Sequence, residues 1–188
     1  MIIRGLGLAV VTVILALALP VYADETVAWQ ALRDGRAVLM LRHALAPGTG
    51  DPPGFELDDC ATQRDLNEQG RAQARAWNGL LQGHGIGQAR VYTSQWCRCR
   101  HTAEEMNIGK VTEMPSLNSF FGGRGDGDRQ TRETIEQVNA LPEGPPVILV
   151  SHQVNITRLA GIFPASNEGV ILALPLSSSV EVLARVSP

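Results

Sequence analysis

Two stretches of the chain abandon the alternation of apolar and polar residues that marks a half-exposed strand. Ala37 to Leu41 is an unbroken aliphatic run that stops on Arg42 and His43, and Pro145 to Val150 is a second, stopping on Ser151 and His152. Runs of this kind predict strands buried on both faces, as in the middle of a parallel sheet. Ala44 to Pro53 is rich in proline and glycine, so the chain leaves the sheet after His43.

The remaining pattern predicts shorter strands and amphipathic helices in alternation. Strands are expected over Arg90–Thr93 and Val111–Met114, with two closing strands, Gly169–Leu174 and Val180–Val186, joined as a hairpin around Pro175–Ser179. Helices are expected over Val27–Asp34, from Glu68 to Leu81 with Asn67 as N-cap, over Gln95–Asn107 capped by Ser94, over Thr131–Leu141 and over Val154–Gly161. His84, in a glycine-rich exit, reads as a solvated loop residue, and Ser116–Arg129 as a long loop. The alternation predicts an α/β fold: a three-layer, parallel-rich open sheet with helices on both faces.

The amino terminus has its own pattern. Arg4 precedes an apolar stretch from Leu6 to Leu19, Pro20 breaks it, and small residues lead to Ala23. This predicts a signal peptide over residues 1–23 and a single domain over 24–188, with a periplasmic or secreted location and no membrane span after cleavage. An uncleaved anchor is the bland alternative, but the apolar stretch is shorter than the roughly 20 residues of a span. The formal net charge is −3 and no basic run interleaves with aromatics, so no nucleic-acid surface is expected. Export permits a disulfide among Cys60, Cys97 and Cys99, leaving one thiol unpaired. Cys60 is expected to pair with Cys97 or Cys99, since a Cys97–Cys99 bridge is geometrically disfavoured.

Charge changes the picture at the ends of the strands. Arg42 with His43, Arg98, and His152 each lie at a strand-to-helix junction. Parallel strands place such ends on one edge, where ligands bind. Guanidinium forks match phosphoryl oxygens, and a helix starting after His152 adds N–H donors.

These residues fall within a larger motif set. Leu41-Arg42-His43, the helix start Leu66-Asn67-Glu68-Gln69-Gly70-Arg71-Ala72-Gln73-Ala74, Thr93-Ser94 through Arg98 to Thr102-Ala103, and Val150-Ser151-His152 occur in that order. Together they resemble the histidine phosphatase (phosphoglycerate mutase-like) superfamily, with Ala44 standing where the family has glycine. The resemblance implies a phosphoglycerate mutase-like fold and a phosphomonoester hydrolase. Neutral His43 would attack phosphorus to give a phosphohistidine, while Arg42, Arg98 and His152 would hold the oxygens. No metal or other cofactor is implied. Arg64, Asn118 and Gln153 are expected to contact substrate, a small-molecule or sugar phosphomonoester; the oligomeric state is not legible.

The general acid is the point of departure from the family. The family glutamate would fall at Asn118 and the alternative aspartate at Gln153, and neither amide is an acid. Two explanations follow: a loop carboxylate (Asp126, Asp128 or Glu133) swings in, or the enzyme works without a strong acid. The second is favoured, because a glycine-rich loop positions an acid poorly. Two other classes compete: a phosphoryl-binding protein without turnover, and a periplasmic metal site at Cys97, Cys99 and His101.

Overall fold

The computed structural model describes residues 25–188; the expected signal peptide lies outside them. In chain order the elements are α1 (Glu25–Arg33), β1 (Ala37–Arg42), α2 (Glu68–Gly83), β2 (Arg90–Thr93), α3 (Cys97–Met106), β3 (Val111–Glu113), α4 (Gly127–Asn139), β4 (Val147–Ser151), α5 (Gln153–Ala160), β5 (Gly169–Ala173) and β6 (Val182–Val186). The strands form one sheet in the order β3-β2-β4-β1-β5-β6. β3, β2, β4 and β1 are mutually parallel, and β5 and β6 add the expected antiparallel hairpin beside β1.

The two aliphatic runs are the central strands, and their side chains divide between two cores. Leu39, Leu41, Ile148 and Val150 face one layer, packed with Trp29, Leu32, Trp77, Leu81 and Met106 from α1, α2 and α3. Val38, Met40, Val147 and Leu149 face the other, against Val138, Ile156 and Leu159 of α4 and α5. Strands with helices on both sides have no polar face to show, which is why their sequence does not alternate. Among the described residues no helix is long and apolar enough to cross a membrane.

Local differences from the expected pattern have identifiable causes. Asn67 caps α2 as expected, accepting from Gly70 N–H at 2.8 Å. Ser94 is not the cap of α3, which begins at Cys97 after Trp96; its hydroxyl is engaged in the site instead. His84 is not simply solvated, because its ring stacks on Trp29 with centroids 4.1 Å apart. The long loop is partly ordered by two 3-10 turns, Pro115–Leu117 and Phe121–Gly123, and α4 starts earlier than expected because Asp126 caps it.

Candidate active site

Register brings the strand ends level. Arg42 pairs with Ser151 across β1 and β4, and Thr93 pairs with Val150 across β2 and β4. The residues that follow therefore emerge side by side at the carboxyl edge, around a cleft of about 400 Å³. Arg42, His43, Arg98 and His152 all line it, as do Arg64 and Gln153. The four residues expected to act together are thus in one place, and two of the three expected contact residues join them.

His43 is buried, and its Nδ1 lies 2.8 Å from the carbonyl oxygen of Ala44. A carbonyl can only accept, so Nδ1 carries the hydrogen and the lone pair of the neutral ring is on Nε2. Burial, then the charge of Arg98, hold its pKa well below 6.5. The motif residues secure the loop that fixes this ring. Thr102 Oγ1 accepts from Ala44 N–H at 3.0 Å, and Gln73 Oε1 accepts from Leu45 N–H at 3.1 Å. Gly70 packs so closely on the Leu45 carbonyl that a Cβ there would overlap the oxygen.

His152 is likewise buried, 5.5 Å from His43 between ring centroids, and is held neutral by burial and by Arg98. Its Nε2 is 2.8 Å from Ser94 Oγ. That hydroxyl also donates to Asn118 Oδ1 at 3.2 Å and accepts from Trp96 N–H at 3.3 Å. With its one hydrogen given to Asn118, Ser94 accepts from His152, so the neutral ring is protonated on Nε2. Cys99 packs against the same ring, and burial pushes its thiol up to about 12, so it stays protonated.

Asn118 is the expected contact residue that the structure places elsewhere. Its side chain is bound to Ser94, to Gln95 N–H and to Gln95 Oε1, and its neighbour Ser119 lines the cleft instead. The loop carboxylates are also outside the cleft lining: Asp126 caps α4, Asp128 pairs with Arg158, and Glu133 lies 3.7 Å from Arg129.

The residue that sequence reasoning missed is Asp51. Its carboxylate lines the cleft and receives Arg98 Nη1 at 2.6 Å, Arg98 Nη2 at 3.3 Å and the Trp96 indole N–H at 3.0 Å. Burial pushes the carboxyl up, but the hydrogen bond and charge of Arg98 outweigh this and lower it overall. Arg64 supports the same loop, donating to the carbonyls of Gly50, at 2.8 Å, and Ala46. The Nε atoms of Arg42 and Arg98 are buried without a partner, and Arg42 Nη1 is held on Pro164 O at 3.0 Å. The outer rim carries Phe121, Phe163 (70 % exposed) and Arg124, whose guanidinium lies 4.4 Å from the Phe55 ring centroid.

The cysteines settle the metal alternative. Cys60 and Cys97 form a disulfide with Cα atoms 5.7 Å apart, as one of the two expected pairings. Cys97 is therefore spent, Cys99 points to His152, and His101 pairs with Asp65 at 2.6 Å. The Cys97, Cys99 and His101 metal site is contradicted, because positions two apart on α3 diverge around the helix.

Comparison with known proteins agrees with this architecture. The structure of the protein histidine phosphatase SixA complexed with tungstate superposes with a TM-score of 0.58 at 20% identity, covering 81% of this chain and 97% of that one. A mycobacterial glucosyl-3-phosphoglycerate phosphatase gives 0.54 at 17% identity, covering 78% and 96%. A phosphoserine phosphatase from Entamoeba histolytica, bound to 3-phosphoglyceric acid, gives 0.56 at 11% identity, covering 81% and 97%. At these identities the likeness shows the fold. No curated protein matches the chain in sequence. The profile of the Histidine phosphatase superfamily (branch 1) matches residues 39–140, more than half of the 188 residues. With that match, the chain belongs to the histidine phosphatase superfamily, and its enzyme class is that of a phosphatase.

Proposed function

We propose that the protein is an exported, metal-independent phosphomonoester hydrolase that works through a phosphohistidine on His43. The observation that carries this reading is the convergence of Arg42, His43, Arg98 and His152 in one cleft, with His43 buried, neutral and fixed by its Nδ1 hydrogen bond. A neutral imidazole with a free Nε2 lone pair is a competent nucleophile. Arg42 and Arg98 bind the equatorial oxygens and offset charge that redistributes in the transition state. His152, neutral and buried beside His43, closes the same phosphoryl space. Arg64 and Gln153 border the same space and extend the contact.

Arg42, Arg64, Arg98 and Arg124 line the cleft, so the positive field a metal ion gives elsewhere comes from side chains. The phenylalanine rim favours a small-molecule or sugar phosphomonoester with some apolar surface. The tungstate bound to SixA supports an anion site in this fold. Export to the periplasm or beyond is supported by the signal-like residues 1–23 and by the Cys60–Cys97 disulfide.

The test is a panel of phosphomonoesters assayed in chelator, with His43→Ala beside the wild type. Hydrolysis that disappears in the variant supports the reading. Tight anion binding with no turnover on any substrate would make the protein a binding protein of the same fold.

A further inference from the structure

Hydrolysis of a phosphomonoester with a poor leaving group needs a proton on the departing oxygen. Among the described residues that line the cleft, Asp51 is the one carboxylate. Its side chain is only 4 % exposed, and it is bound to the same guanidinium that the phosphoryl group needs. Asp126, Asp128 and Glu133 lie outside the cleft lining, and Asn118 is tied to Ser94 and Gln95. The loop bearing Asp51 begins directly after His43 and turns at Gly48 and Gly50, both with positive φ, which returns the carboxylate to the cleft that His43 lines.

We infer that Asp51 is the proton donor to the leaving group, released for that role when the substrate takes over Arg98. The inference rests on the phosphohistidine reading above. In the free enzyme the carboxylate is ionised and occupies Arg98, much as a phosphate oxygen pair would. A monoester entering as its monoanion becomes the partner of Arg98, and its proton passes to Asp51, now beside a dianion and without its cation. The His43 Nε2 lone pair then forms the N–P bond as the bridging P–O bond breaks. The electron pair goes to the leaving oxygen, which takes the Asp51 proton and departs as the alcohol. In the second half, a water oxygen attacks phosphorus and its proton goes to the Asp51 carboxylate. The N–P electron pair returns to Nε2, and inorganic phosphate leaves with the proton that Asp51 held.

The experiment measures kcat/KM over a series from dinitrophenyl phosphate through phenyl phosphate to alkyl phosphates, for the wild type and Asp51→Asn. The wild type is expected to depend weakly on leaving-group pKa. Asp51→Asn should lose roughly 10²- to 10⁴-fold on alkyl phosphates and less than about tenfold on dinitrophenyl phosphate. The wild-type rate should also fall as pH rises past the second phosphate pKa of about 6, because the monoanion is the proton source. An equal loss across the series would make Asp51 a positioning residue for Arg98 and overturn the inference. A steep leaving-group dependence in the wild type would overturn it without any variant. Failure of the phosphohistidine reading is distinguishable: no phosphoenzyme would then form in the wild type with any member of the series.

Discussion

The Nδ1–H of His43 donates to the carbonyl oxygen of the next residue, Ala44, at 2.8 Å. One peptide unit thus sets both the tautomer and the aim of the ring, so whatever holds the Ala44–Leu45 backbone also holds the reacting nitrogen. Gly70, Gln73 and Thr102 do so from two different helices. Placing a methyl at Gly70 must push Leu45 away. Gly70→Ala is expected to lower kcat/KM on the order of a hundredfold through misplacement of the ring and to lower the melting temperature. Gly79→Ala, on the same helix in open space, should leave activity intact and raise stability by about 0.4–1 kcal/mol. Equal behaviour of the two variants would contradict this role for Gly70.

Arginine-to-lysine changes at the cleft keep the charge and lose the fork. Arg42→Lys and Arg98→Lys should each weaken tungstate or vanadate binding about 10- to 100-fold, the equivalent of roughly 1.5–3 kcal/mol for a hydrogen bond to a charged group. Calorimetric titration checks this. Unchanged affinity in both variants would remove the shared anion site.

The titration behaviour of the two buried histidines has a defined sign. Burial and Arg98 lower both pKa values below 6.5, so the unfolded chain binds more protons than the native state once pH falls under that value. The stability they carry is complete above pH 6.5 and is lost progressively as pH falls toward their native pKa values. Melting temperature should therefore drop on acidification below pH 6.5, and less so in His152→Gln. For the same reason the acidic limb of kcat/KM should lie well below pH 6.5. An acidic limb at or above 6.5 would mean that His43 is not held neutral.

The Cys60–Cys97 bridge ties the segment before Arg64 to the first residue of α3, next to Arg98. Replacing Cys60 and Cys97 together by serine is expected to cost about 2–4 kcal/mol in denaturant unfolding. Thiol counting on the denatured, unreduced protein should find Cys99 alone. Three titratable thiols would refute the pairing.

Much of this site was legible because its parts obey local rules. The doubly apolar strands, their polar terminal residues and the Asn67-capped helix each announce themselves within a few residues, and parallel pairing makes the convergence of Arg42, His43 and His152 predictable. The cysteine pairing was open between two positions because nothing local tells which face of α3 meets Cys60; in the fold Cys97 does and Cys99 turns to His152. Asp51 was invisible for the opposite reason. It stands in a glycine- and proline-rich loop without periodicity, and its partner Arg98 is 47 residues away. The family resemblance puts Asn118 at the place of the acid, but its amide is drawn inward by Gln95 and Ser94, leaving Ser119 to face the cleft.

Rapid-quench trapping of the phosphoenzyme tests the central claim most directly. With labelled substrate, the wild type should yield an acid-labile, base-stable phosphoryl group on the peptide that contains His43, and His43→Ala should yield none. Label on another residue, or turnover at the wild-type rate in His43→Ala, would contradict the account.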